Sequence, residues 1–375
     1  MKLIRSIIAT IVMIVPAIIT AEDPPDLRLT LPPVASAIVG AQIGVDFDNI
    51  VLTQTPEAYR FVVDCPIGET AAHRWMVTAK ETDIGEHPWR VSVWKDDQKL
   101  AEKTMVWRVY PATAGNRPEV SLLMVGDSLT NATLYPNDVA KRMSAAGQPK
   151  WTMLGTHRPA SAAMGVAHEG YGGWTWDRFV RHYESMPDVA MRKFSSPFVF
   201  LDSEQSRLDV ARYLKDSCDG KSPDYVSFFL GINDCFGANP DDPVVMDAHI
   251  DGVFKSAEIL IADFRKAAPN ADLGICLTTP PNARQAAFEA NYQDRYTRWG
   301  WKRIQHRLVE RQLKQFGGRE DDHIFIIPTE LNLDPVAGYP ENNGVHPNAA
   351  GYQQIAASLH AWMTSRWHAP NKLEK

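Results

Sequence analysis

Residues 121–130 read Ser121-Leu-Leu-Met-Val-Gly-Asp-Ser-Leu-Thr130, an apolar run that breaks at Gly-Asp-Ser. The run at 120–125 predicts a buried strand. In an open α/β sheet, ligands bind just beyond the carboxyl ends of the strands, so Ser128 would lie where a substrate is bound. A serine hydroxyl becomes a nucleophile only when a base takes its proton and nearby donors stabilise the oxyanion. Candidates for both groups occur later in the chain.

The composition is that of a soluble globular protein, with 45% of the 375 residues hydrophobic and 22% charged. A chain of this length can form two domains. Its formal net charge is −6 at neutral pH, which is the opposite of the basic footprint that nucleic-acid binding leaves. We therefore expect no nucleic-acid partner.

The first 21 residues have the pattern of a secretory signal peptide. Lys2 and Arg5 precede an apolar stretch at 7–19, and the small residues Thr20 and Ala21 end it. A membrane anchor is the alternative, but the stretch is shorter than the ~20 residues that a membrane-spanning helix needs. We expect a secreted or periplasmic protein, without stable membrane insertion after removal of the signal.

The four cysteines, Cys65, Cys218, Cys235 and Cys276, match no zinc-binding spacing. Cys65 falls in a different predicted domain from the other three, which argues against an all-paired arrangement. Cys218 with Cys235 is the one pairing to consider, and buried free thiols are the preferred interpretation.

The remaining chain divides into two domains by pattern. Residues 22–112 alternate with period two between regular turns, which predicts a small β-sandwich of immunoglobulin-like type. It carries no recognisable chemical constellation, so we interpret it as a spacer, with glycan binding as the alternative. Residues 113–119 have the composition of a linker. Strand and helix patterns alternate through 120–370, which predicts a parallel sheet covered by helices on both faces.

Five strands are predicted in the second domain, at 120–125, 151–154, 225–230, 273–277 and 324–327. Apolar residues at helical spacing predict helices between them. One such helix presents its apolar face across 250–264, a long one spans 285–316, and the last begins near residue 348.

Three further motifs could serve Ser128. Gly231-Ile-Asn-Asp234 follows its own strand, so the Asn233 amide is a candidate oxyanion donor. In Gly170-Tyr-Gly-Gly-Trp-Thr175, glycine lets the backbone approach a substrate, and Gly173 is the preferred N–H donor, with Gly172 the alternative. Asn343-Gly-Val-His-Pro-Asn348 places His346 just before the last helix, and imidazole is the usual base for a serine. Each motif alone is weak.

Together and in this order, the four motifs resemble the SGNH (or GDSL) hydrolase superfamily over 120–362. The resemblance implies a flavodoxin-like α/β/α fold with five parallel strands, and ester hydrolysis through an acyl-enzyme without metal or organic cofactor. It also implies that Ser128 is the nucleophile and His346 the base. The Ser128 N–H, Gly173 and Asn233 would form the oxyanion hole. The G-x-S-x-G elbow of the α/β-hydrolases is missing around Ser128.

The sequence departs from this family pattern at Asn343, where the family usually has an aspartate three residues before the histidine. In a serine protease the change from Asp to Asn costs roughly 10⁴ in turnover, yet an asparagine can orient a catalytic histidine, as in papain-like enzymes. Asn343 is therefore the predicted orienting residue, with a Ser-His dyad as the alternative. Asp334 and Glu341 are nearby carboxylates that could substitute.

Aromatic residues flank the glycine loop and suggest a carbohydrate substrate. Tyr171 and Trp174, with Trp176 beside them, would stack on sugar rings if exposed, and core packing is the alternative. Together with export and the accessory sandwich, they resemble the carbohydrate esterases of the superfamily, so we expect an O-acetylated polysaccharide or oligosaccharide. A lysophospholipase or thioesterase, a cell-envelope O-acetyltransferase and a decayed glycan-binding protein remain open.

Three arginines lie in the long helical stretch: Arg284, Arg295 and Arg298. They could reach an acidic sugar, although a solvated helix face is the simpler interpretation.

Overall fold

The computed structural model describes residues 27–113, 115, 117–188 and 194–368. The predicted signal peptide at 1–21 lies outside the described residues. Two hydrophobic cores occur, one centred on the amino-terminal residues and one on residues 120–367. Among the described residues, no helix combines the length and the apolarity needed to cross a membrane.

The amino-terminal unit is built from strands, as its period-two pattern predicts. Its elements, in chain order, are β1 (Val34–Ile38), β2 (Gln42–Asp46), α1 (Phe47–Ile50), β3 (Arg60–Asp64), β4 (Glu69–Thr70), β5 (Arg74–Thr78), β6 (Gly85–Lys95) and β7 (Gln98–Tyr110). One sheet has the order β1-β7-β6-β3 and the other β2-β5-β4. Pairing is antiparallel except between β1 and β7, which are parallel. Trp75, Trp89 and Trp107 fill the core, since the alternation of each strand turns them inward.

The second unit alternates strands and helices. Its elements are β8 (Val120–Gly126), α2 (Ser128–Asn131), α3 (Leu134–Met143), β9 (Trp151–Leu154), β10 (Glu169–Gly170), α4 (Trp176–Arg181), β11 (Val199–Asp202), β12 (Gln205–Leu208), α5 (Val210–Ser217), β13 (Tyr225–Phe229), α6 (Ile232–Cys235), α7 (Pro243–Ala267), β14 (Asp272–Cys276), α8 (Gln285–Tyr292), α9 (Arg298–Phe316), β15 (Ile324–Ile327), α10 (Thr329–Asn332) and α11 (Ala349–Trp367). Single 3₁₀ turns occur at Pro56–Ala58, Glu81–Asp83 and Glu320–Asp322.

The central sheet is parallel and has the order β10-β8-β13-β14-β15. β9 pairs with the first half of β8 and β10 with its last two residues, so they share one edge. Alternate residues of β13 face opposite helices: Tyr225 contacts Trp362 of α11, and Phe228 contacts Phe264 of α7. The predicted α/β architecture is confirmed. Helices cover both faces of the sheet because its parallel strands are apolar on both sides.

The predicted long helix at 285–316 is wrong in its middle. The chain leaves α8 at Gln293, whose φ is +58°, and α9 begins only at Arg298. The Thr297 hydroxyl accepts a hydrogen bond from the Gly300 N–H at 3.0 Å and so caps α9. This break frees residues 293–297 to form part of the wall of a cavity.

The two units are joined by buried polar contacts. Asp48 accepts from Arg298 at 3.0 Å and lies 3.3 Å from the Lys302 ammonium, which is fully buried. The Asn49 amide donates to the carbonyl oxygens of Glu330 and Leu333, at 2.6 and 2.7 Å. The amino-terminal unit therefore packs against α9 and α10, next to the segment that leads to His346.

The cysteine sulfurs are free in the structure, as preferred from the sequence. Cys218, Cys235 and Cys276 are buried, and Cys65 is half-buried.

Candidate active site

Ser128 lies on a tight turn at the carboxyl end of β8. Thr130 packs so closely against Gly126 and Gly170 that a Cβ at either glycine would clash with its side chain. Asp127 is buried and caps α2 by accepting from the Leu129 N–H at 2.9 Å. These contacts fix the strand-to-helix turn and leave the half-buried Ser128 side chain at the edge of the sheet.

His346 lies on the loop before α11 and contacts Ser128 directly. Its Nε2 is 2.9 Å from Ser128 Oγ, although the two residues are 218 positions apart in the sequence. Its Nδ1 is 3.2 Å from Asn343 Oδ1. Ser128, His346 and Asn343 thus form one hydrogen-bonded chain, in the order predicted from the motifs.

The hydrogen-bonding pattern of Asn343 determines the histidine tautomer. Asn343 Oδ1 accepts from the backbone N–H groups of Val345 at 3.1 Å and His346 at 2.9 Å. A backbone N–H can only donate, so this side-chain atom must be the oxygen. The His346 Nδ1 facing it then carries the proton, which leaves the Nε2 lone pair free for the serine hydroxyl. An asparagine at this position can therefore orient the base without a negative charge.

The remaining two motifs come together beside Ser128. Asn233 Nδ2 donates to the Trp174 carbonyl at 3.0 Å, and the Tyr171 N–H donates to the Gly126 carbonyl at 3.1 Å. Residues 171–174 form a turn in which the exposed Gly173 has a φ of +78°, a conformation that favours glycine. The loop is thus tied both to the turn that carries Ser128 and to α6.

Burial shifts the ionisation of several groups here. It lowers the pKa of His346 from its ordinary value, so the imidazole is neutral at neutral pH and able to act as a base. Burial also raises the pKa of Asp127 to about 7 and that of Asp234 to about 7. Neither carboxyl group is bonded to His346: each accepts from a backbone N–H instead, Asp127 from Leu129 and Asp234 from Trp176.

The two carboxylates that could have replaced Asn343 lie elsewhere. Asp334 pairs with Arg74 at 3.3 Å and accepts from the backbone N–H groups of Val336 and Ala337, each at 2.8 Å. Glu341 is exposed to solvent. Among the described residues, Asn343 is the side chain that contacts His346 Nδ1.

The expected exposed aromatics of the glycine loop are buried, so the prediction that Tyr171 and Trp174 stack on sugars is wrong. Tyr171 is 8% exposed, and Trp174 and Trp176 are each 2% exposed. The Tyr171 hydroxyl donates to the buried carboxylate of Glu169, and Trp174 stacks on Phe194 at 5.5 Å. The apolar spacing of these rings serves the core that supports the loop.

A cavity of about 420 Å³ opens above Ser128 and His346. Its floor is formed by Ser128, Ile232, Asn233, Val345 and His346, and its wall by Phe236, Ala290, Asn291, Tyr292, Gln293, Arg295 and Tyr296. This wall was not predicted from the sequence, because a continuous helix was expected through it. The Thr297 cap was the signal that could have shown the break.

Asn282 was not predicted from the sequence either. Fully buried, it donates from Nδ2 to the carbonyl oxygens of Pro340 at 2.8 Å and Asn343 at 2.9 Å. It follows β14 at the same carboxyl edge as Ser128, and that position could have marked it. Asn282 holds the histidine loop in place.

One group of side chains in the described residues has a metal-ligand composition. The donor atoms of Asp46, His73 and Asp334 lie within 4.8 Å of one another, at the junction of the two units. Arg74 already lies 3.3 Å from Asp334 there, and none of the three lines the cavity.

This α/β fold, in which the Ser128 hydroxyl is hydrogen-bonded to His346 at the edge of the sheet, defines a serine hydrolase that acts on esters. The chain belongs to the family described as GDSL-like lipase/acylhydrolase, whose model matches residues 122–359. The matched region contains all four motifs.

Several solved structures are similar to this chain at low identity. A Clostridium thermocellum family 3 carbohydrate esterase is 16% identical, with 67% of this chain and 98% of that chain covered and a TM-score of 0.39. A Talaromyces cellulolyticus carbohydrate esterase of family 3 is also 16% identical, with coverages of 66% and 98% and a TM-score of 0.40. An M. smegmatis aryl esterase is 13% identical, with coverages of 66% and 99% and a TM-score of 0.37. No curated protein matches the sequence.

Proposed function

We propose that this protein is an exported esterase that removes O-acetyl groups from a carbohydrate through an acyl-enzyme on Ser128. The observation that carries the proposal is the hydrogen-bonded chain from Ser128 Oγ to His346 Nε2, at 2.9 Å, and from His346 Nδ1 to Asn343 Oδ1, at 3.2 Å. Such a chain is the arrangement that activates a serine nucleophile.

In this mechanism, Ser128 Oγ attacks the ester carbonyl carbon while its proton passes to His346 Nε2. The oxyanion accepts hydrogen bonds from the Ser128 and Gly173 N–H groups and from Asn233 Nδ2. The C–O bond to the sugar then breaks, and His346 returns the proton to the departing sugar oxygen. Water attacks the acyl-serine in the same way, with its proton taken by His346 and passed to Ser128 Oγ, and acetate leaves.

The cavity supports a small acyl group on a polar carrier. Ile232 and Val345, the apolar floor residues beside Asn233 and His346, are nearly buried and expose little apolar surface next to the catalytic residues. Among the described residues, the large apolar side chains that are exposed all lie outside the cavity lining. The wall instead offers Tyr292, Tyr296 and the amides of Asn291 and Gln293, groups that suit a sugar.

The test is hydrolysis of para-nitrophenyl acetate, butyrate and octanoate by the chain without residues 1–21, beside Ser128→Ala. We expect acetate to be preferred and turnover to vanish in the variant. Preference for octanoate would replace the proposal with a lipid or thioester hydrolase. If the folded protein turns over no ester, an acetyltransferase or a binding protein becomes the better account.

A further inference from the structure

Arg295 gives the cavity above Ser128 a positive charge. It is the one charged side chain among the described lining residues at neutral pH. His346 is neutral, and Tyr292 and Tyr296 carry uncharged phenols. The protein as a whole carries a net charge of −6, so the sign of this cavity is opposite to that of the molecule. A solitary cation beside a reactive centre attracts an anionic group of the substrate.

The guanidinium of Arg295 is available for such a group. Its side chain is exposed and lies over the Tyr296 ring, 5.0 Å from the centroid. Within the described residues it forms no ion pair. The other two arginines considered from the sequence are engaged: Arg298 pairs with Asp48 at 3.0 Å, and Arg284 donates to the Val336 carbonyl at 2.9 Å. The structure thus separates one free guanidinium from two structural ones.

Aromatic packing links Arg295 to the catalytic residues. Tyr296 contacts Phe236 with ring centroids 4.2 Å apart, and Phe236 also packs on Tyr292 at 5.1 Å and Trp301 at 4.9 Å. Phe236 caps α6, which carries Asn233, through its N–H to the Ile232 carbonyl. The Tyr296 ring under the guanidinium therefore belongs to an aromatic cluster that also contacts α6, the helix that carries Asn233.

We propose that Arg295 binds the carboxylate of a uronic-acid residue next to the acetylated sugar, so that acidic polysaccharides are preferred over neutral ones. A planar guanidinium matches a carboxylate in two parallel hydrogen bonds, and the half-buried faces of Tyr292 and Tyr296 lie beside it to receive a sugar ring. This inference rests on the proposed function and names its substrate class.

The experiment compares one acetylated oligogalacturonide with its methyl-esterified form, in which each carboxylate is a neutral methyl ester, and it follows the release of acetate from both. A hydrogen bond to a charged group changes kcat/KM by about 10- to 100-fold, so the wild-type protein should prefer the free acid by about that ratio. The ratio should fall towards one in Arg295→Ala, chiefly through KM, and it should shrink with added salt. Arg295→Lys should retain part of it, because the charge remains without the planar fork.

Arg303→Ala is the matched control. Arg303 also lies over an aromatic ring, that of Trp299 at 5.6 Å, but it pairs with Asp241 and does not line the cavity, so this variant should keep the wild-type ratio. A wild-type ratio near one, or an undiminished ratio in Arg295→Ala, would overturn the inference. Hydrolysis of para-nitrophenyl acetate distinguishes a failure of the Arg295 inference from a failure of the proposed function. If the wild-type protein shows no Ser128-dependent hydrolysis of this ester, the proposed function itself is refuted.

Discussion

Replacing Asn343 by aspartate tests whether Asn343 orients His346 as the base for Ser128. Aspartate has the same shape, and its Oδ1 can accept the same three hydrogen bonds, so the change adds one negative charge about 3.2 Å from His346 Nδ1. An opposite charge at this range raises a pKa by roughly 1–3 units, which corresponds to about 1.4–4 kcal/mol of imidazolium stabilisation. The imidazolium forms as Ser128 attacks, so kcat/KM on its alkaline plateau should rise by about 10- to 10³-fold.

This gain is smaller than the roughly 10⁴ lost on the change from Asp to Asn in a serine protease, because part of that loss comes from the wrong tautomer. Here the backbone N–H groups of Val345 and His346 already impose the correct one.

The assay is the pH profile of kcat/KM on para-nitrophenyl acetate. The neutral imidazole is the active form, so activity falls as the pH drops through the His346 pKa. Burial lowers that pKa, so the wild-type inflection should lie below the ordinary value of about 6.5. In Asn343→Asp it should move to higher pH by roughly 1–3 units.

Asn342→Asp adds the same charge at an exposed neighbouring position and should leave the inflection unchanged. A severe loss of activity in a folded Asn343→Asp protein, or an unmoved inflection, would refute this account of the histidine.

Three further outcomes follow from contacts in the structure. Asn233→Ala should lower kcat by about 10²–10³, the cost of removing one oxyanion donor, and a loss below tenfold would contradict that role. Asp48→Asn should lower the free energy of unfolding, measured in urea, by about 3–5 kcal/mol, because the buried Lys302 ammonium would lose its carboxylate partner. A change under about 1 kcal/mol would mean that this ion pair does not stabilise the contact between the two units. Tyr171→Phe should cost about 1–3 kcal/mol of stability through the lost hydrogen bond to Glu169 and leave KM unaltered, whereas a raised KM at full stability would restore Tyr171 to the substrate site.

The parts of this protein that local pattern governs were predictable from the sequence. The apolar runs at 120–125, 225–230, 273–277 and 324–327 correspond to neighbouring strands of one parallel sheet. Their carboxyl ends share an edge, and the motifs that follow β8 and β13 therefore lie near each other. The separation of 218 residues between Ser128 and His346 is overcome by this topology.

What the sequence could not reveal depends on tertiary contacts or on competing uses of one pattern. Trp174 beside a glycine loop fits either a sugar platform or a core, and only the packing of Phe194 on its ring decides between them. The contact of Asp48 with Lys302 spans 254 residues and leaves no local trace. The break after α8 was hidden because the helical spacing on each side continued across it.

Covalent labelling with a serine-directed reagent shows whether Ser128 is the nucleophile. The folded protein would be treated with a para-nitrophenyl alkylphosphonate, which leaves a stable adduct on an activated serine. Its labelled peptides would then be mapped by mass spectrometry beside the remaining activity on para-nitrophenyl acetate. We expect one adduct per chain, on Ser128, with activity falling in proportion and no adduct in His346→Ala. Full activity in a labelled protein, or an adduct confined to another residue, would contradict the assignment of Ser128 as the nucleophile.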